Sequence, residues 1–123
     1  MKVMSIGIKS HEEVMNDFKD TFLAVQNRLP VKKRDEVSFT SLAAARNFLT
    51  PKRMEILHTI REKNPASIYS LAKMTRRSFP AVLRDVETLT RHGLVKLTRQ
   101  KKSPRRAVHP TVSYDAINLW ISI

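Results

Sequence analysis

The stretch from Thr75 to Val95, TRRSFPAVLRDVETLTRHGLV, contains the signals that decide the predicted fold. Ser78 is a typical helix N-cap, and Pro80 falls in the first turn, where a missing N–H costs little. Gly93 has the place of a left-handed helix stop. Between these signals, apolar residues recur every three or four positions: Phe79, Val82, Val86 and Leu89. The stretch therefore predicts an amphipathic helix with one face in a core.

The segments on either side of this helix predict its neighbours. Upstream, Thr50-Pro51 starts a helix that runs to about Lys63, and Ser67 caps a shorter helix. Downstream, LVKLTRQ and AVHPTVSY read as two strands joined by the basic turn KKSPRR. This order of helix, short helix, turn, helix and two strands predicts a winged helix-turn-helix.

The N-terminal segment predicts a strand followed by a helix. MSIGIKS alternates apolar with small or polar residues, and Ser10 and Glu13 have the spacing of a capping box. The helix of about five turns that follows has one apolar stripe, formed by Val14, Phe18, Phe22, Val25 and Leu29. EVSF and AINLWISI read as further strands. We expect an α+β fold, mainly α, with a strand-helix arm at residues 1–34 and a winged-helix domain at residues 35–123.

The charge of the chain favours a polyanionic partner. It has 23 Lys and Arg against 11 Asp and Glu, a net charge of +12, of which +10 lies in residues 51–123. Such a field attracts nucleic acid. The sequence has no cysteine and no apolar run near the roughly 18 residues of a membrane span. We expect a cytoplasmic, nucleoid-associated protein without a membrane segment.

The helix at about 78–92 is the candidate for reading base pairs. Its stripe leaves Ala81, Arg84, Asp85 and Thr88 on or near the outer face. In a helix-turn-helix this helix enters the major groove by its N-terminus. The candidates for base contacts are Ser78, Pro80, Ala81, Arg84 and Thr88. A guanidinium can pair with two acceptors of guanine, although Arg84 can also form a surface ion pair with Glu87.

Basic residues around this helix are candidates for contacts with the DNA backbone. KLTRQKKSPRR, within the predicted wing at about 94–112, has six basic residues and no acidic one. A solvated hairpin tip is the alternative to a wing that binds phosphates. The candidates are Arg76, Arg77, Lys96, Arg99, Lys101, Lys102, Arg105 and Arg106. We interpret Phe79 and Leu83 as core residues, with contact to a thymine methyl as the alternative.

The segment from Thr50 to Leu97 resembles the MarR-like winged-helix regulators, most closely in its ending RDVETLTRHGLV. More narrowly, IGIKSHEEV, VSFTSL and VSYDAI look like a family of small prokaryotic DNA-binding proteins, some of them antitoxin-type regulators encoded beside a small toxin. One departure is SFPA, which puts apolar residues where such proteins often have polar, base-reading ones. The resemblance implies a DNA-binding regulator.

The sequence lacks the patterns of an enzyme. No two of its histidines have the spacing of metal ligands, and the sequence has only two glycines, Gly7 and Gly93. The histidines are His11, His58, His92 and His109. We predict no catalytic residue, no metal and no cofactor.

Together these features predict a sequence-specific regulator that binds double-stranded DNA as a homodimer. The apolar stripe of the N-terminal helix is expected to pack on its own domain, on a second copy or on a toxin protein. An antitoxin that neutralises a toxin through this arm and regulates its own operon is the first alternative. An RNA-binding winged helix is the second, for which stacking aromatic residues are needed on the basic face.

Overall fold

The computed structural model describes residues 1–29, 36–99 and 108–123. Within these ranges about half of the residues are helical, and short strands complete an α+β fold, as predicted. The elements are β1 (Val3–Ile8), α1 (His11–Gln26), β2 (Glu36–Phe39), α2 (Leu42–Phe48), α3 (Pro51–Lys63), α4 (Ile68–Thr75), α5 (Phe79–Arg91), β3 (Lys96–Arg99), β4 (Val108–Thr111) and β5 (Ala116–Ile121).

The described chain divides into two units. Unit 1 comprises Met1–Phe48 and Asp115–Ile123, and unit 2 comprises Leu49–Tyr114. The predicted boundary after residue 34 differs from this division, because β2, α2 and β5 belong with the N-terminal segment. The reason is strand pairing: β5 lies alongside β1 over its whole length, from Val3 opposite Ala116 to Ile8 opposite Ile121. Periodicity predicts a strand but does not identify its partner.

Unit 1 is built on a parallel sheet with the strand order β2-β1-β5. A central parallel strand is covered on both faces, which suits the apolar run of β1. Met4, Ile6 and Ile8 are buried on one face. On that side of the sheet, the rings of Phe39 in β2 and Phe48 in α2 lie 5.2 Å apart. The core of unit 1 therefore lies between the sheet and α2.

Only glycine fits at position 7, because the ring of Trp120 occupies the space that a Cβ atom would need. The two residues are register partners on β1 and β5. A Cβ atom on Gly7 would lie 2.7 Å from the indole ring, closer than such atoms approach in proteins, and 3.0 Å from Oε1 of Glu36, a tight contact. The absence of a side chain is therefore a packing requirement at this position.

Polar contacts attach α1 to the sheet. Nζ of the buried Lys9 lies 2.6 Å from Oδ2 of Asp17 and 3.2 Å from Oε1 of Glu36. The hydrogen bond with Asp17, supported by Glu36, raises the pKa of Lys9 despite its burial. Ser122 donates to Oε1 of Glu13 at 2.9 Å. Since Glu13 and Asp17 are four residues apart, one face of α1 carries both contacts.

The apolar stripe of α1 lies away from these contacts. No residue of the helix is buried. Phe18 and Phe22 are 65% and 58% exposed, Val25 is also exposed, and Val14 is half-buried. Leu29, the last residue of the predicted stripe, is exposed but lies past the helix, which ends at Gln26 and not at the predicted residue 29. The stripe was expected to pack on its own domain, on a second copy or on a toxin protein. The described residues of the protein do not cover it, which leaves the second copy and the toxin protein.

Unit 2 consists of α3, α4 and α5 with the antiparallel pair β3-β4. Thr50, Ser67 and Ser78 cap the three helices by accepting hydrogen bonds from backbone N–H groups three residues on. Gly93 has a φ of 80° at the end of α5. The predicted helix starts and stop are thus confirmed. The core contains Ile56, Leu57, Ile60, Ile68, Leu71, Ala72, Val82, Val86, Leu89, Leu94, Val95 and Tyr114.

Within the described ranges, no helix is long and apolar enough to cross a lipid bilayer.

Candidate functional site

The turn between α4 and α5 has a fixed geometry. Arg76 is left-handed, with a φ of 56°. Its N–H donates to the carbonyl of Lys73 at 3.2 Å, and the N–H of Arg77 donates to that of Ala72 at 3.1 Å. This pair of hydrogen bonds is the Schellman motif, in which glycine is the usual left-handed residue. Arg76 is exposed, whereas Arg77 is half-buried.

The carboxylate of Asp85 is bound by two arginines. Nη1 of Arg77 donates to its Oδ2 at 2.8 Å, and Nε of Arg53 in α3 donates to its Oδ1 at 3.1 Å. The side chains of Asp85 and Arg77 are only 16% and 19% exposed. Burial alone would raise the pKa of Asp85, but the hydrogen bonds from Arg77 and Arg53 outweigh it and hold the pKa below its usual 3.8.

This cluster corrects one sequence-based placement and adds a contact to a second residue. Asp85 was expected on or near the outer face of α5, and it instead faces α3 and the turn. The guanidinium of Arg77, a candidate for a phosphate contact, donates to Asp85, and its contact with a phosphate stays a prediction. The contacts of Asp85 with Arg77 and Arg53 were not predicted. The sequence does contain a signal for the first of them, because Asp85 lies eight positions after Arg77 and two turns into the predicted helix.

The two faces of α5 differ as predicted. Val82, Val86 and Leu89 are fully buried. Arg84 is exposed, and among the described residues no carboxylate pairs with its guanidinium, Glu87 included. The hydroxyl of Thr88 donates to the carbonyl of Arg84 at 3.0 Å and accepts from Arg91 at 3.2 Å. Both hydrogen bonds of the Thr88 hydroxyl are therefore made within α5.

The N-terminal tip of α5 is apolar and exposed. The hydroxyl of Ser78 accepts from the N–H of Ala81 at 3.4 Å, Pro80 is exposed and Ala81 is half-buried. Phe79 is 42% exposed, so its interpretation as a core residue is wrong. Helical side chains lean towards the N-terminus of their helix. The ring of the first helical residue therefore extends past the end of the helix. Leu83 is half-buried.

Further cations and an aromatic ring lie on α4. Nζ of Lys73 lies 4.5 Å from the centre of the Tyr69 ring, which is exposed. On β3, Lys96 and Arg99 are exposed at the two ends of the strand, opposite Thr111 and Val108. The other wing candidates, Lys101, Lys102, Arg105 and Arg106, lie outside the described residues.

The positive charge is concentrated in unit 2. Residues 49–114 contain 15 Lys and Arg and four Asp and Glu, a net charge of +11. The rest of the chain, residues 1–48 and 115–123, has a net charge of +1. One of the four acidic residues, Asp85, is already matched by two arginines. The exposed basic residues in the described part of the unit include Lys73, Arg76, Arg84, Lys96 and Arg99.

The histidines of the described ranges do not gather into a metal site, since no three His, Asp or Glu side chains converge there. Nδ1 of His92 lies 2.9 Å from the carbonyl of Thr88, at the C-terminal end of α5. This position fits a residue that ends the helix.

Two comparisons with known proteins give limited similarity. No curated protein matches the chain. Among solved structures, the chain is similar to the one titled "Structure of Disulfide formed AbfR", with 20% sequence identity and a TM-score of 0.48. The alignment covers 83% of this chain and 61% of that chain, so this protein spans less than two thirds of the length of that structure.

A family comparison gives a match over more than half of the chain. The model of the HVO_A0114 family matches residues 48–119, which run from the end of α2 through unit 2 and into β5. The matched segment includes the turn at Arg76, the cluster around Asp85 and the exposed face of α5. By this match the chain belongs to the HVO_A0114 family.

Proposed function

We propose that unit 2 is a winged helix-turn-helix that binds double-stranded DNA, with α4 and α5 as the helix-turn-helix and residues 94–112 as the wing. The observation that carries this proposal is the exposed, unpaired Arg84 on a helix whose opposite face is fully buried. An exposed guanidinium on a helix that is packed by its opposite face is suited to the paired acceptors O6 and N7 of guanine. The net charge of +11 on the unit supports the same partner.

In this proposal the residues have different roles. The N-terminal half of α5 enters the major groove, where Arg84 contacts a base. Arg76, Lys96 and Arg99 contact phosphates and contribute affinity without sequence preference. Arg77 acts indirectly, because its bond to Asp85 holds the start of α5 against the turn. The resemblance to MarR-like regulators supports a role in the control of transcription.

The exposed stripe of α1 supports a homodimer. Together with Met15, the residues of the stripe that lie within α1 are spaced by three, four and three positions, as in the a/d pattern of a coiled-coil seam: Met15, Phe18, Phe22 and Val25. Large apolar side chains offer about 150–200 Å² each. With Leu29, which lies just past the helix, their exposed fractions amount to roughly 500 Å² per copy, or about 1,000 Å² for two copies, the lower limit for a specific interface. We propose a second copy as the occupant of this stripe, and a toxin protein is the alternative that the experiment separates.

Titration of the full chain with labelled nucleic acids tests the DNA proposal. Duplexes selected from a random pool are the probe, and a single-stranded RNA of equal length is the control for the RNA alternative. We expect duplex binding that weakens steeply between about 50 and about 200 mM salt, because each neutralised phosphate releases counterions. Alanine at Lys96 and Arg99 should flatten this salt dependence. Tighter binding of the RNA, or the absence of duplex binding at the lower salt, would overturn the proposal.

A further inference from the structure

The tip of α5 has an apolar surface that the proposed charge contacts do not use. Phe79 is 42% exposed, Pro80 is exposed, and Leu83 is half-buried one turn further along the helix. Residues four apart are neighbours on a helix surface, so Phe79 and Leu83 form one patch. A patch at the N-terminus of α5 lies where the proposed function puts the base pairs.

We infer that Phe79 and Pro80 contact thymine methyl groups in the major groove, so that the protein selects sites with thymine at the base pairs facing the tip of α5. This inference rests on the proposed DNA binding. The C5-methyl of thymine is the apolar group that base edges offer in the major groove, and aromatic or aliphatic side chains are its partners. Proline has no N–H to leave unpaired there.

The polar groups of the tip are used within the helix. The hydroxyl of Ser78 accepts the hydrogen bond that caps α5, and Ala81 has no polar side chain. Direct hydrogen bonding to bases from residues 78–81 is therefore limited. At this position the protein therefore distinguishes thymine from other bases by the contact between the Phe79 ring and the thymine methyl, a contact that bases without the methyl do not make.

The charges around the patch favour DNA over an apolar protein groove as its occupant. Lys73 and Arg76 precede the patch, and Arg84 follows it. Among the described residues, no carboxylate pairs with any of the three. An apolar tip between cations that no described carboxylate neutralises complements a groove that has methyl groups on its floor and phosphates on its rims.

Replacement of single thymines by uracil tests the inference, because uracil keeps the hydrogen-bonding edge and lacks the methyl. A selected duplex is altered at one thymine at a time, and each duplex is titrated with the wild-type chain. Loss of a buried methyl should weaken binding roughly fourfold. We expect this loss at one or two adjacent positions and unchanged binding at the others.

Variants assign the effect to the tip of α5. Phe79→Ala should bind the thymine and uracil duplexes equally, Phe79→Leu should keep part of the difference, and Glu87→Gln, an exposed change further along α5, should keep all of it. Far-UV circular dichroism checks that each variant is folded. If no uracil position weakens wild-type binding, or if Phe79→Ala discriminates as the wild type does, the inference is wrong. Absence of binding to every duplex would instead reject the proposed function, and with it this inference.

Discussion

Nη1 of Arg77 lies 2.8 Å from Oδ2 of Asp85, so the second of two adjacent arginines is held inside unit 2. Arg53 reaches the other oxygen of the same carboxylate from α3. The left-handed conformation of Arg76 turns the chain between the two arginines, leaving Arg76 exposed. One arginine of the pair therefore fixes the start of α5, and the other is available to a partner.

We predict that Asp85→Asn destabilises unit 2 by about 1–3 kcal/mol at neutral pH, because two arginines lose a partly buried charged acceptor. The folded-state pKa of Asp85 lies below the usual value of 3.8. Its contribution is therefore complete above that value and is lost as the pH falls through the folded-state pKa. Thermal unfolding as a function of pH should show a smaller loss of stability in acid for the variant.

Glu87→Gln is the matched control for Asp85→Asn, since Glu87 is an exposed carboxylate on the same helix. It should change the free energy of unfolding by less than about 0.5 kcal/mol. Equal unfolding temperatures for Asp85→Asn and the wild type at neutral pH would show that the cluster contributes nothing to stability.

Arg76→Gly should stabilise unit 2 and weaken its binding to DNA. A left-handed residue with a side chain costs of order 1 kcal/mol relative to glycine. At the end of α5 the same two hydrogen bonds close the helix with Gly93 in the left-handed position. In the proposed function the side chain of Arg76 contacts a phosphate, and glycine at this position would remove that contact. Denaturant titration should give the rise in stability, and the salt dependence of duplex binding should fall by about one phosphate contact.

Arg76→Lys keeps the charge and is the control for this variant. It should bind duplexes nearly as the wild type does, without the gain in stability. Should Arg76→Gly bind with unchanged affinity and salt dependence, Arg76 does not contact a phosphate.

Much of the secondary structure was predictable because its signals are local. The hydroxyl caps at Ser10, Thr50, Ser67 and Ser78 act on N–H groups three residues away, and the stop at Gly93 depends on one φ angle. The buried face of α5 follows from the helical period alone.

The features that were not predicted have two kinds of cause. Some depend on contacts between residues that are distant in the sequence, and one depends on the position of a residue at the end of a helix. The pairing of β5 with β1 joins segments more than 100 residues apart, and alternation in each strand fits many partners. The placement of Asp85 depends on Arg53 as well as on the turn at Arg76. Phe79 follows the apolar period but, as the first residue of α5, has no preceding turn to cover it.

Gly7→Ala should destabilise unit 1 by about 1–3 kcal/mol, because the new methyl overpacks the space below the Trp120 ring. Trp120→Leu makes room, so the double variant should lose less stability than the two single variants together. Circular dichroism during urea unfolding gives each value. Ser5→Ala, on the same face of β1, is the control. Strict additivity of the two changes would exclude a steric conflict with Trp120.

Phe18→Asp combined with Phe22→Asp should convert a dimer into a folded monomer, since both residues lie on the proposed seam. Light scattering measures the mass in solution. Asn16→Asp combined with Thr21→Asp adds the same charge to exposed positions of α1 outside the seam, and this control should remain a dimer. If the wild type is a monomer, the stripe binds a toxin or another protein and not a second copy. If the variant with both Asp substitutions is still a dimer, the dimer interface lies outside the seam.

Arg84→Ala tests whether α5 reads a base, because the side chain is exposed and without an ion-pair partner among the described residues. A bidentate arginine–guanine pair contributes about 1–3 kcal/mol to discrimination. The variant should therefore bind a selected duplex roughly ten- to a hundredfold more weakly, while binding to unrelated duplexes stays nearly constant. Arg84→Lys keeps the charge but not the two parallel donors, so it should lose most of the same discrimination. Titrations with selected and scrambled duplexes at one salt concentration measure both quantities. An equal loss on both duplexes would make Arg84 a phosphate contact, and no loss on either would show that this face of α5 does not enter the groove.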